Sequence, residues 1–240
     1  MKSVYKIPQK IKCLTDERKR KSIPLFNIVM PVLLFLMLQY ESFHTIFSAP
    51  ESMSKRLKNC ISGRIPKVDA VRDLLSRINP DEIRSIHEEM IDIIKRNRVF
   101  REGTIGGYVV AGLDGVELFS STKKSCPNCL SRKKHTGETE YFYRSVVCMI
   151  IGKSPHVILG QEMLKPRDGS GKDEGELTGG KRLIERLKKR HGHFADVIVA
   201  VISECSIYQH SEGKWSGRGD TPERRKKNDF SGCRASVQTG

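Results

Sequence analysis

The chain has 240 residues, 38% of them hydrophobic and 30% charged. That apolar share suffices for a packed core and excludes a wholly disordered chain. The 43 Lys and Arg against 28 Asp and Glu leave a net charge of +15, which points to a polyanionic partner, nucleic acid or an anionic membrane surface, rather than a small acidic metabolite.

Residues 1–22 carry eight Lys and Arg against two acids and read as a basic, mobile arm, too polar for a signal peptide. Ile23 to Tyr40 is an uncharged run about one membrane span in length. Asn27 and Pro31 interrupt it, and its most apolar part, Ile28 to Leu38, covers only 11 residues. It therefore predicts a buried core helix starting near Pro31, with no membrane partner. Pro50, Gly63 and Pro66 mark residues 48–66 as a connector.

Val68, Val71, Leu74, Leu75 and Ile78 then recur at helical spacing. Asn79-Pro80-Asp81 breaks that helix and caps the next, with Pro80 in its first turn and Ile83, Ile86, Met90, Ile93 and Ile94 on its apolar face. Residues 23–102 thus read as a helical N-terminal module.

The pattern changes at Gly103. Strands are expected over 107–119, 141–151, 155–165 and 195–203, and an amphipathic helix over 176–190 that ends at Gly192. Val116 to Phe119 reads as a continuation of the first strand past a turn or bulge. The first three strands can form an antiparallel meander, and the helix then crosses to a strand parallel to the first. The fourth strand, Phe194 to Ile202, is apolar throughout and predicts burial on both faces. From residue 209 to 240 neither periodicity survives, and Arg224-Arg225-Lys226-Lys227 lies in a Gly-rich polar tail that reads as disordered.

The seven cysteines are an odd number and, apart from Cys126 and Cys129, are scattered, which predicts free thiols and a cytoplasmic setting. Cys126 and Cys129 form a CxxC, and His135 adds a third candidate zinc ligand, one short of a closed tetrahedral set. His156 or Cys148 could be a fourth only if the chain folds back. The competing reading is an insertion held by packing, whose cations track a phosphate backbone. Lys123, Lys124, Arg132, Lys133 and Lys134, with Lys188, Lys189 and Arg190 at the end of the later helix, are the candidate DNA contacts. Helix-terminal cations are also what the macrodipole favours. Asp114 closes the run Ala111-Gly112-Leu113 and is either a turn residue with Gly115 or a carboxylate for divalent metal, as phosphoryl-transfer sites require. Asp196 reads as structural, Asp168, Asp173 and Glu174 as solvated loop charge, and His191 and His193 as turn residues.

Taken in order, P-K-V-D-A-V-R-D-L-L-S-R-I-N-P-D-E-I-R, A-G-L-D-G-V-E-L-F-S-S, C-P-N-C-L-S-R, G-K-R-L-I-E-R-L-K-K-R and F-A-D-V-I-V-A resemble a DDE transposase of the insertion-sequence type, over roughly residues 14–208. The resemblance implies an α+β or α/β chain: a helical N-terminal module, then over 103–208 the first half of a ribonuclease-H-like mixed sheet. It implies magnesium or manganese as cofactor and duplex DNA, at transposon ends, as partner. Asp114 matches the first catalytic acid and would be a magnesium ligand. The second acid normally follows the fourth strand as D-A-L-Y, whereas this chain reads V-I-S-E-C-S-I-Y. Glu204-Cys205-Ser206-Ile207-Tyr208 can be encoded so that removing the third base of the Glu204 codon gives Asp-Ala-Leu-Tyr. Glu204 then stands where the second acid was lost by frameshift, and the tail from 209 is out of frame. The expectation is a transposase-derived chain without catalysis, the alternatives being a non-catalytic DNA-binding remnant or a small membrane-anchored protein.

Overall fold

The structure is a computed structural model, and it describes residues 5–39, 55, 66–102, 104–152, 156–167, 173–201 and 206–209. Within these the protein is a mixed α+β molecule. Its helices are α1 (Ile7–Lys12), α2 (Leu25–Met37), α3 (Val68–Leu75), α4 (Pro80–Arg96) and α5 (Glu176–His191). Its strands are β1 (Val110–Ser121), β2 (Leu130–Lys133), β3 (Thr139–Ile151), β4 (Val157–Met163), β5 (Val197–Val201) and β6 (Ser206–Gln209).

The N-terminal helices surround a small core of Ile11, Leu14, Leu25, Ile28, Val71 and Leu74. Part of the basic arm expected to be mobile is therefore ordered: Ile11 and Leu14 are buried, and Arg18 is tied to Asp16 and to the carbonyl of Ile23. Helix α2 begins at Leu25, before rather than at Pro31, and Pro31 lies inside it. Ile28 and Phe35 are buried and give the helix its inner face, while Leu36 and Met37 stay exposed. No helix among the described residues is long and apolar enough to cross a membrane.

The break at Asn79 stands as expected, with the Asn79 side chain accepting from the Asp81 N–H at 2.9 Å. Helix α4 is shared between two cores. Ile86 packs on the N-terminal helices, whereas Ile91, Ile94 and the following Phe100 pack under the sheet. Helix α4, which lies within the expected helical module, thus contributes to both cores.

The sheet follows the expected connection. β1 pairs antiparallel with β3, β3 pairs antiparallel with β4, and α5 carries the chain to β5, which is parallel to β1. β3 is long enough to hold β2 and β4 end to end along one edge, and β6 extends the other side by pairing antiparallel with β5. β2 and β6 are additions to the expected elements. β1 does not stop at Asp114 but runs on to Ser121, with an irregularity between Glu117 and Phe119.

Helix α5 covers one face of the sheet. Gly179 and Gly180 let it approach: a Cβ on Gly179 would lie 2.4 Å from Leu164 Cδ2, and one on Gly180 would meet Leu113 and Val146. Leu183, Ile184 and Leu187 complete this contact and are fully buried. Gly192, at φ +65°, turns the chain out of the helix in a conformation few other residues adopt. The expected two-sided burial of the apolar strand is not observed. Ile198 and Ala200 are buried toward α5, while Val197 and Val199 are only half-buried, because the described helices lie on one side alone. Residues 210–240, hence nearly all of the expected tail, lie outside the described residues.

Candidate functional site

Asp114 is a mid-strand residue, not a strand end and not a turn. It pairs with Val147 of β3 on one side and with Val201 of β5 on the other, the last rung of the parallel ladder. Its neighbours Leu113 and Gly115 point at α5, so Asp114 projects from the opposite face, which no described helix covers, and is exposed there. Its Oδ1 accepts the Gly115 N–H at 2.8 Å. Glu204, Asp168 and the rest of 202–205 lie outside the described residues.

The nearest acids in β1 and α5 are committed elsewhere. Glu117 pairs with Arg132 and Arg144, and Glu176 pairs with Arg144 at 3.0 Å. No group of three or more His, Cys, Asp or Glu among the described residues is placed to hold a metal ion. A two-metal centre needs several converging carboxylates. The described donors present one, so they do not fit magnesium or manganese, and no step through a metal follows from them.

The expected zinc ligands are likewise not brought together among the described residues. His135 is exposed and does not join Cys126 and Cys129 in such a group. The third partner of the pair is instead a phenol: Cys126 Sγ lies 2.9 Å from Cys129 Sγ and 2.6 Å from Tyr143 Oη. Hydrogen bonds from the Cys129 thiol and the Tyr143 hydroxyl hold the Cys126 thiol below its ordinary value. Cys148, fully buried between strands, is pushed up to about 12 by loss of solvation.

The expected DNA contacts divide into free and committed cations. Lys123, Lys124, Lys133, Lys188 and Lys189 are exposed. Arg132 is held by Glu117 and Glu140 and lies 4.6 Å from the centre of the Phe142 ring. Lys134 pairs with Glu140 at 2.9 Å, and Arg190 with Glu88 and Asp92. These three serve the fold first, because antiparallel pairing of β2 with β3 and packing of α5 beside α4 set acids opposite them.

Two further expectations change. Glu174 is not solvated charge: its side chain is 2% exposed and bonded to Arg182, and its Oε2 accepts the Lys165 N–H at 2.8 Å. Asp173 is also engaged, accepting from the Ser131 N–H at 2.9 Å. His191 is more than a turn residue, since it is buried and its Nδ1 meets Asp92 at 2.7 Å. Asp196 is structural as expected, accepting the Val109 N–H at 2.7 Å where β1 and β5 begin.

A group of cations that the sequence reading missed lines a cavity of about 760 Å³ at that same end of the sheet. It includes Lys95, Arg96, Arg98 and Arg101. The available signal was the crowding of arginines in R-N-R-V-F-R at the end of the helix and just beyond it. The chain matches no protein family, no curated protein and no solved structure.

Proposed function

We propose that this protein is a DNA-binding chain of the DDE-transposase type that does not assemble a catalytic centre. One observation carries the reading. An antiparallel meander is followed by a helical crossover to a strand parallel to the first, and Asp114 stands on the last rung of that parallel pair. This is the connection the motif resemblance implies, with its first acid at the exit end of the parallel strands. The exposed Lys123, Lys124 and Lys133 around β2 supply the sequence-independent contact with phosphates. A cytoplasmic setting belongs to the same reading, with Cys13, Cys126, Cys129 and Cys148 as free thiols.

Each neutralised phosphate releases condensed counterions, so affinity for duplex should fall with salt. The full chain should bind a duplex at low salt. The triple variant K123A/K124A/K133A should lower the slope of log affinity against log salt by up to about 2.7, at about 0.9 per phosphate contact. No binding, or an unchanged slope, rejects the β2 region as the contact. Magnesium-dependent nicking by the purified chain that disappears in Asp114→Asn would overturn the non-catalytic part. The nucleotide sequence at the Glu204 codon tests the frameshift directly.

A further inference from the structure

Helix α4 ends at Arg96, and Asn97 closes it. Arg98 follows in the left-handed region at φ +60° and ψ +19°, and one 3-10 turn over Val99–Arg101 leads toward β1. That position after a helix favours glycine, since a Cβ there crowds the backbone. An arginine held in such a conformation is strain retained by its surroundings, and strain of this kind collects at ligand sites. Of the residues other than glycine with positive φ, Arg98 is the one that lines the cavity.

The cavity lies between this turn and the Phe194–Asp196 entry to β5. Phe100 and Phe194 are buried beneath it. Lys95, Arg96, Arg98 and Arg101 surround it, and Asp196 is the one carboxylate in its lining. Asp196 is already occupied by the Val109 N–H and, at 2.8 Å, by His193 Nε2. Lys95 donates to the His191 carbonyl. The exposed side chains of Arg96, Arg98 and Arg101 make no hydrogen bond or close ion pair among the described residues, and Arg101 acts on Asp196 only through its charge. The negative end of the α4 dipole accounts for Lys95 and Arg96 in the last turn. It does not account for Arg98 and Arg101, which come after the helix.

Four cations line one cavity whose single carboxylate, Asp196, is shared by Val109, His193 and the charge of Arg101, so the lining carries a surplus of positive charge that attracts an anion. Guanidinium groups match phosphate in a two-pronged geometry, and about 760 Å³ lies within the range of small-ligand sites. We propose that this cavity is a phosphate-binding site, in which Arg96, Arg98, Arg101 and Lys95 receive adjacent phosphates. The site stands at the entry end of the β1–β5 pair, where Val109 meets Asp196, and Asp114 stands at the exit end. The phosphates come from a DNA strand or from a free polyphosphate. The first source rests on the DNA-binding reading above and the second does not.

The test uses the full chain with two probes: inorganic pyrophosphate, by calorimetry at low salt, and a 5′-phosphorylated duplex, by fluorescence anisotropy. R98G/R101Q removes two cations and relieves the strained backbone, and K67Q/K181Q removes two exposed cations elsewhere. At least one probe should bind the wild-type chain, and R98G/R101Q should weaken it about tenfold or more, as expected for loss of charged hydrogen bonds. K67Q/K181Q should weaken it less than about threefold, and Arg101→Lys should retain most of the binding. Arg96→Gln is the second variant should R98G/R101Q melt early, and it should weaken the same probe. Binding of neither probe overturns the proposal, as does R98G/R101Q binding as K67Q/K181Q does. Duplex bound equally well by both double variants removes the cavity site and leaves the DNA reading standing. Pyrophosphate bound through the arginines with no duplex binding does the reverse.

Discussion

Replacing Glu174 with alanine removes a carboxylate that joins three segments. Its side chain is 2% exposed. One oxygen accepts the Lys165 N–H at 2.8 Å, and the other takes the guanidinium of Arg182, which also reaches Glu162 at 3.1 Å and the Met163 carbonyl at 2.7 Å. The truncation leaves the Lys165 donor without its acceptor, a loss of about 1 kcal/mol. Breaking a fully buried ion pair costs about 3–5 kcal/mol, because the surviving charge is left uncompensated. Arg182 keeps Glu162 and is 29% exposed, so its share falls below that range. The sum is about 2–3 kcal/mol. For a chain of this size that lowers Tm by roughly 5–10 °C. Urea unfolding followed by circular dichroism reads the change as a shift in midpoint at constant slope. Glu174→Gln keeps an acceptor for Lys165 and should lose about 1–2 kcal/mol. A Glu174→Ala chain within about 0.5 kcal/mol of wild type would behave as a surface variant and refute the buried-pair argument.

Gly179→Ala places a methyl 2.4 Å from Leu164 Cδ2, so its gain in helix propensity of about 1 kcal/mol should be exceeded by an overpacking cost of about 1–3 kcal/mol, and thermal unfolding should show a net loss. Arg98→Gly, at φ +60°, should instead raise stability by about 1 kcal/mol in the same assay, and a loss would show that the arginine makes a stabilising contact. Burial opposes ionisation of Asp196, but the Val109 N–H and His193 outweigh it and hold the carboxyl below its ordinary 3.8. Its contribution is therefore fully present above about pH 4 and is lost as the pH falls through the lower folded value. The stability gap between wild type and Asp196→Asn should close on acidification below that point; a pH-independent gap contradicts it. Iodoacetamide at neutral pH should label Cys126 and spare Cys148 in the folded chain, as read by peptide mass spectrometry, because one thiol is only half-buried and is lowered by its hydrogen bonds with Cys129 and Tyr143, whereas the other is buried and raised.

The chain order of helices and strands is written in local chemistry. Asn79 and Pro80 stop one helix and start the next through a side-chain cap and a fixed φ, needing no distant residue. The apolar runs of β1, β3, β4 and β5, and the spacing of Leu183, Ile184 and Leu187, carry their own period, and the parallel return of β5 follows from the helix that precedes it. What the sequence alone left open depends on residues far apart in the chain. β2 becomes a strand because β3 is long enough to offer it an edge, which no property of Leu-Ser-Arg-Lys announces. Glu174 looks like loop charge until Arg182, nearly two helical turns into α5, is folded over it. Arg132, Lys134 and Arg190 look like free cations until pairing brings Glu140, Glu88 and Asp92 beside them. Arg96, Arg98 and Arg101 become one cluster only because the chain reverses after α4 and meets the start of β5, some hundred residues later. Periodicity reports which face of an element is buried. Which charges are neutralised and which are left to face a cavity is decided by what packs opposite them.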